Sequence, residues 1–126
     1  MDRKRILIVD DDPEIYRTLK KRLEYNGFSC ASATSVETAL KKLDKESLDL
    51  ILLDLGFPGL DGTAFLTSAS QHFAPDKKIP PILVLSCYND KEIVDHVLES
   101  GAVAFMAKPY DSKELLSTIR VLTQAP

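Results

Sequence analysis

Short apolar runs alternate with stretches of helical periodicity along this chain of 126 residues. Most of the runs are rich in valine, isoleucine and leucine without polar alternation, as in strands that are buried on both faces of a sheet. Between the runs, apolar residues recur every three or four positions, which is typical of an amphipathic helix. This alternation predicts a parallel sheet that is covered by helices on both faces. The five strands are predicted at residues 6–9, 28–33, 49–53, 82–85 and 103–106.

Residues that favour helix ends mark the start of several helices. Asp12 precedes Pro13, and proline is favoured in the first helical turn, so Asp12 is expected to be an N-cap rather than a metal ligand. Thr34 and Glu37 have the spacing of a capping box and are expected to open the second helix. Asp111 is expected to cap the last helix in a similar way.

Composition and charge narrow the class of protein. The chain is 44% hydrophobic and 28% charged, as in ordinary globular domains, and no apolar run approaches the roughly 18 residues of a membrane span. A net charge of −3 argues against direct nucleic-acid binding by this domain. No signal-peptide core follows the charged N terminus, so we expect a cytoplasmic protein with no membrane partner. In that compartment Cys30 and Cys87 are expected to be small, buried apolar residues.

We therefore predict an α/β protein with one domain over residues 1–126 and a core at about residues 4–122. The fold class is a flavodoxin-like, doubly wound (βα)5 sheet of five parallel strands. Its strand order, 2-1-3-4-5, is taken from the fold class, since periodicity does not give it. Residues 124–126 follow the last helix, where a linker to an output domain would begin. We favour a fragment of a longer protein over a complete single-domain protein.

Polar residues follow four of the predicted strands, at the edge of the sheet where doubly wound folds bind their ligands. Asp10 and Asp11 follow the first strand, and Asp54 follows the third. Ser86 follows the fourth strand and Lys108 the fifth. Each residue alone has an ordinary structural interpretation, such as a solvated acid at a strand end. Their coincidence at one edge of the sheet predicts a site.

Carboxylates that converge in this way cannot all be ionised without compensation. Either some of them are protonated or a cation lies among them, and a set of hard oxygen ligands suits Mg²⁺. Lys108 adds a second positive charge, and Ser86 adds a hydroxyl donor. A carboxylate nucleophile surrounded by such groups can accept a phosphoryl group.

The same residues form a set of motifs that resembles the receiver domain of two-component response regulators, over about residues 4–122. The motifs are Ile6-Leu7-Ile8-Val9-Asp10-Asp11, Leu52-Leu53-Asp54 with Pro58 and Asp61-Gly62 downstream, Val84-Leu85-Ser86, and Lys108-Pro109. The resemblance implies that Asp54 is the phosphoacceptor. It also implies that Asp11 is a direct Mg²⁺ ligand, that Asp10 holds the metal mainly through water, and that the backbone carbonyl of Gly56 supplies another ligand.

The resemblance assigns further roles around the phosphoacceptor. Ser86 is the expected switch hydroxyl, and Lys108 is the expected phosphate-pairing lysine, followed by a cis peptide before proline. Phe105 occupies the aromatic switch position and lacks the hydroxyl of the tyrosine that is frequent there. Cys87 and Tyr88 are expected at the rim of the pocket, where Tyr88 would shield the phosphoryl group from water.

The family also implies a cofactor and partners. Mg²⁺, or Mn²⁺ in its place, is the expected cofactor, and a sensor histidine kinase or a phosphotransfer protein is the expected phosphodonor. An effector domain or a partner protein is expected to bind the face formed by strand five and the last two helices, with a phosphorylation-dependent homodimer as one form of this. The domain would be no enzyme beyond its self-catalysed phosphoryl transfer and autodephosphorylation.

Two other functions share parts of this pattern. A phosphohydrolase of the haloacid-dehalogenase type requires a second acid two residues after the nucleophile, and Gly56 stands there instead. A phosphorylation-independent interaction module would retain an acidic pocket without using it, and failure of Asp54 to accept phosphate would favour this reading.

Overall fold

Strands and helices alternate along the part of the chain that the computed structural model describes, residues 3–10, 12–55, 65–69 and 79–124. The strands are β1 (Arg5–Val9), β2 (Ser29–Ala33), β3 (Leu50–Leu55), β4 (Ile82–Ser86) and β5 (Ala104–Ala107). The helices are α1 (Pro13–Tyr25), α2 (Val36–Lys45), a helical segment α3 at residues 65–69, α4 (Lys91–Glu99) and α5 (Ser112–Thr123). None of the helices in these ranges is long and apolar enough to cross a bilayer.

The five strands form one parallel sheet in the order β2-β1-β3-β4-β5. The predicted fold class and strand order are therefore confirmed. The strand order reverses between β1 and β3, whose register pairs Val9 with Leu53. β5 is an edge strand, paired only with β4 in the described sheet.

Successive residues of the central strands point to opposite faces of the sheet, so that each strand contributes to two apolar cores. Leu7 and Val9 of β1 belong to a cluster with buried residues of α2, α3 and α4. Ile6 and Ile8 belong to a second cluster with buried residues of α1 and α5. Because both apolar faces of the sheet must be buried, helices pack on each face and form these two layers. Burial of one such aliphatic side chain contributes roughly 1.5–3 kcal/mol.

Two of the predicted helix caps form as expected. The side chain of Asp12 accepts a hydrogen bond from the backbone N–H of Glu14 at 2.9 Å, and α1 begins at the next residue, Pro13. The side chain of Asp111 accepts from the backbone N–H of Lys113 at 2.9 Å. Asp12 is thus the N-cap of α1, as expected from the proline that follows it.

The predicted N-cap of α2, Thr34, was wrong by one residue. The N-cap is Ser35 rather than Thr34, and the helix begins at Val36. The Ser35 hydroxyl accepts from the backbone N–H of Thr38 at 3.1 Å and donates to the Thr38 hydroxyl at 2.8 Å. This reciprocal serine–threonine contact pairs one backbone N–H of the first turn of α2.

Candidate functional site

The first two acids of the site are brought together by the pairing of β1 with β3. Val9 and Leu53 are partners in the sheet, so the residues that follow them, Asp10 and Asp54, lie side by side at its carboxyl edge. Each of the two residues is only 8% exposed. Oδ1 of Asp10 accepts from the backbone N–H of Asp12 at 2.6 Å, which ties the acid to the start of α1.

Lys108 reaches Asp54 from the far side of β4. Its backbone N–H donates to the carbonyl of Ser86 at 2.8 Å, which continues the β4–β5 ladder by one residue. Its Nζ lies 2.5 Å from Oδ1 of Asp54, and the side chains are 19% and 1% exposed respectively. The peptide between Lys108 and Pro109 is cis, as expected. The long lysine side chain therefore compensates a carboxylate that is almost fully removed from water.

Ser86, the expected switch residue, is the last residue of β4 and is fully buried. It pairs with Leu55 in the sheet, one residue beyond Asp54. Its hydroxyl oxygen accepts a hydrogen bond from the backbone N–H of Tyr88 at 3.0 Å. A hydroxyl has one proton to donate and two lone pairs, so this contact leaves the Ser86 proton available for another acceptor.

Phe105, the second expected switch residue, is half-buried on the edge strand. It packs against the apolar cluster on the α2, α3 and α4 side of the sheet. Val103, two residues before it, is 54% exposed, whereas Met106 is buried. The exposed apolar surface beside the edge strand therefore includes Val103 and not Met106.

The two expected rim residues differ in their surroundings. Cys87 is exposed and lines a cavity beside Asp54. The expectation that both cysteines are buried is therefore wrong for Cys87, because the chain leaves the sheet at Ser86 and the next side chain is at the surface. Cys30, on β2, is half-buried. Tyr88 is 37% exposed and does not belong to the described lining of that cavity. Shielding by Tyr88 stays a prediction.

The cavity is a groove of about 610 Å³ that runs from Asp54 along α1. One wall is formed by α1 and the other by the segment after β5. The lining residues are Glu14, Ile15, Thr18, Leu19, Arg22, Asp54, Cys87, Lys108, Pro109 and Tyr110. Sequence reasoning missed this groove, because its two walls are far apart in the chain. The position of Tyr110 directly after Lys108-Pro109 is the one signal that pointed towards it.

The pKa of the Tyr110 hydroxyl is affected by burial and by the charges of the site. Burial of the phenol raises its pKa above the ordinary value, and the negative charge of Asp54 raises it further. The positive charges of Arg22 and Lys108 act in the opposite direction. The phenol therefore remains neutral at physiological pH and keeps a proton that it can donate.

Comparison with known proteins identifies the fold family. The family model described as "Response regulator receiver domain" matches residues 6–120. The chain belongs to this family. The alkaline phosphatase synthesis transcriptional regulatory protein PhoP of Bacillus subtilis is 34% identical over 119 residues, which cover 94% of this chain and 48% of that protein. The transcriptional regulatory protein KdpE of Staphylococcus aureus is 32% identical over 118 residues, which cover 94% and 49%.

Solved structures of receiver domains have the same architecture. A response regulator receiver domain protein (CheY-like) from Methanospirillum hungatei has a TM-score of 0.82 and 31% identity, covering 98% of this chain and 95% of that one. A putative response regulator from Chloroflexus aurantiacus has a TM-score of 0.84 and 30% identity, covering 98% and 99%. This receiver domain thus spans nearly all of these solved chains, but about half the length of the curated relatives that it matches.

The donor atoms of the site suit a hard divalent cation. Asp10 and Asp54 follow paired residues of neighbouring strands, and carboxylate oxygen is the ligand type that Mg²⁺ prefers. Within the described ranges, no group of three or more His, Cys, Asp or Glu residues could hold a metal ion. Two of the expected ligands, Asp11 and Gly56, lie outside the described residues, as do the motif residues Pro58, Asp61 and Gly62.

Proposed function

We propose that this receiver domain accepts a phosphoryl group on Asp54 and passes the signal to a partner. The observation that supports this most strongly is the ion pair between Lys108 and the almost inaccessible Asp54, next to a second buried acid, Asp10. A buried carboxylate with one cationic partner and one acidic neighbour is costly to maintain, and such arrangements concentrate at functional sites.

Mg²⁺ is the proposed cofactor, with Mn²⁺ able to replace it. Its ligands are Asp10, mainly through water, Asp11, Asp54 and the backbone carbonyl of Gly56. When bound, the cation offsets the repulsion between the carboxylates and draws charge from the phosphoryl oxygens. Cofactor binding and phosphorylation at this site belong to the same proposal.

The protein's own side chains have three parts in the reaction. Asp54 supplies the oxygen that attacks phosphorus, and the resulting acyl phosphate carries more negative charge than the free carboxylate. Lys108 is already placed to pair with that charge, since its Nζ is hydrogen-bonded to Asp54. Ser86 has a proton to donate to a phosphoryl oxygen. Hydrogen bonds from Ser86 and Lys108 to phosphoryl oxygens form only after phosphorylation, and their free energy, less that of the resting Lys108–Asp54 pair, supplies the switch.

The switch acts on the face formed by α4, β5 and α5. Movement of Ser86 towards the phosphoryl group opens room into which Phe105 turns, and the surface of the edge strand changes with it. Because the Phe105 side chain is wholly apolar, its inward position is favoured by burial even before phosphorylation. We propose that an effector domain, a partner protein or a second copy of this domain binds this face.

The phosphodonor is a sensor histidine kinase or a phosphotransfer protein, and the domain works in the cytoplasm without direct contact to nucleic acid. Related response regulators are named transcriptional regulators, which supports an output domain as the recipient of the signal. Turnover is limited to self-catalysed phosphoryl transfer and autodephosphorylation.

Intact-protein mass spectrometry with acetyl phosphate tests the proposal. The wild-type domain should gain one acid-labile phosphoryl group with Mg²⁺ or Mn²⁺ and none with EDTA. Asp54→Asn should abolish the gain, whereas Asp95→Asn, at an exposed acid of α4, should leave it intact. A modification that persists in Asp54→Asn, or that forms equally in EDTA, would overturn the assignment.

A further inference from the structure

Tyr110 forms part of the groove wall close to the phosphoacceptor. It packs against the apolar cluster that includes α1 and α5, and it follows Pro109 directly. Asp54, Arg22 and Lys108, whose charges act on the pKa of its hydroxyl, line the same groove. Tyr110 therefore packs against an apolar core cluster and also forms part of the wall of the groove that contains Asp54.

In phosphoryl transfer, the attacking and leaving groups lie on opposite sides of phosphorus, so access to one side of the Asp54 phosphoryl group matters for both reactions. In phosphorylation by acetyl phosphate, a carboxylate oxygen of Asp54 attacks phosphorus, the P–O bond to the acetyl group breaks, and acetate leaves on the opposite side. In hydrolysis, water attacks phosphorus opposite the Asp54 oxygen, the P–O bond to Asp54 breaks, and inorganic phosphate and a proton are released. The departing acetate oxygen and the arriving water therefore use the same apical position.

We propose that Tyr110 walls the apical approach to Asp54, so that one side chain restricts both the incoming small phosphodonor and the water that removes the phosphoryl group. The proposal rests on phosphorylation of Asp54, the proposed function. The groove is open space in contact with Asp54, whose side chain is itself only 1% exposed, so a change in the wall changes access to it. Cys87 also lines the groove, but its side chain is much smaller.

This wall differs from the shield that the sequence led us to expect. Tyr88 is 37% exposed, and the described lining of the groove includes Tyr110 but not Tyr88. Tyr110 also packs against a core cluster. Shielding by Tyr88 and shielding by Tyr110 therefore predict opposite results for hydrolysis rates in the Tyr88→Ala and Tyr110→Ala variants.

Two rates measured on purified protein with Mg²⁺ test the proposal: phosphorylation by acetyl phosphate, and loss of the phosphoryl group after donor removal. In Tyr110→Ala both rates should rise by about fivefold, equivalent to roughly 1 kcal/mol. The phosphorylated fraction at steady state should change little, since both rates rise together. Tyr110→Phe should match the wild type, because the ring forms the wall. Tyr25→Ala removes a tyrosine that is 90% exposed at the end of α1 and is the matched control.

Each outcome bears on the proposal. It is overturned if Tyr110→Ala changes neither rate or only one of them, if Tyr110→Phe behaves like the alanine variant, or if Tyr88→Ala accelerates hydrolysis and Tyr110→Ala does not. Thermal unfolding checks that each variant folds, and Tyr110→Leu, which keeps apolar packing, replaces the alanine variant if that one does not. Absence of any phosphorylation of the wild type would instead refute the proposed function.

Discussion

The ammonium group of Lys108 lies 2.5 Å from Oδ1 of Asp54, although the strand β4 separates the two strands that carry these residues. The lysine can span β4 because its backbone N–H is fixed to the carbonyl of Ser86 and its side chain then extends over the end of the sheet. Without a bound cation, Lys108 supplies the positive charge that the buried Asp54 requires. Its pairing is therefore a property of the resting domain as well as of the proposed phosphorylated one.

Removal of the lysine charge should destabilise the metal-free domain. Lys108→Met leaves the Asp54 carboxylate buried without its partner, and we expect the free energy of unfolding to fall by about 3 kcal/mol. The double variant Asp54→Asn/Lys108→Met should recover most of this loss, because it removes the uncompensated charge as well. Urea unfolding in EDTA measures both, with Lys113→Met at an exposed position of α5 as the control. Equal losses in the single and double variants would show that lysine packing, not charge pairing, is responsible.

The backbone of this domain was more predictable from the sequence than its surfaces were. The apolar runs around Ile8, Leu52 and Leu83 predict strands because strands buried on both faces leave no room for polar residues. Asp54 was recognisable because an acid at the end of such a run is unusual. The strand order came from the family rather than from periodicity, since periodicity describes each element separately.

The details that the sequence did not reveal depend on contacts between distant segments. The groove between α1 and Tyr110 exists only once α1 and the segment after β5 are neighbours. Exposure of Cys87 depends on where β4 ends, and an apolar neighbourhood in the sequence does not fix that point within one residue. The cap at Ser35 rather than Thr34 reflects the same difficulty, because adjacent residues can both cap a helix.

The hydrogen bond from the Tyr88 backbone to the Ser86 hydroxyl should report the switch. If Ser86 turns towards a phosphoryl oxygen, this 3.0 Å contact lengthens and the Tyr88 amide proton should move upfield in the NMR spectrum. We expect the shift on addition of beryllofluoride, a phosphoryl mimic, in the wild type and in Ser86→Thr. In Ser86→Ala the Tyr88 amide should be nearly insensitive to the mimic. A Tyr88 response in Ser86→Ala as large as in the wild type would exclude Ser86 as its origin.

The exposed edge of the output face should contribute to partner binding. Val103, the residue before β5, is 54% exposed, and Leu98 of α4 is 41% exposed. Val103→Glu would place a charge in the interface, and we expect it to weaken association of the phosphorylated form by about tenfold, or roughly 1.4 kcal/mol. Sedimentation equilibrium measures self-association, and calorimetry measures binding to an effector domain. Tyr25→Glu is the control at a remote exposed position. Unchanged affinity in Val103→Glu, with phosphorylation intact, would place the interface elsewhere.

The two cysteines should differ in their reactivity and in its dependence on pH. Desolvation of the half-buried Cys30, reinforced by the charge of Glu24 and opposed by Lys20 and Arg5, raises the pKa of its thiol to about 11. At pH 8 only about 0.1% of Cys30 is therefore thiolate, the reactive form. Iodoacetamide should modify the exposed Cys87 first, with Cys30 labelling increasing about tenfold per pH unit up to pH 11. Peptide mapping by mass spectrometry identifies the labelled residue, and preferential labelling of Cys30 at pH 8 would contradict both its burial and the exposure of Cys87.

The raised pKa of Cys30 should also affect stability at high pH. The folded domain holds the Cys30 proton more tightly than the unfolded chain, so this contribution to stability is complete below pH 9 and is lost between pH 9 and 11. Cys30→Val should flatten that loss in urea unfolding.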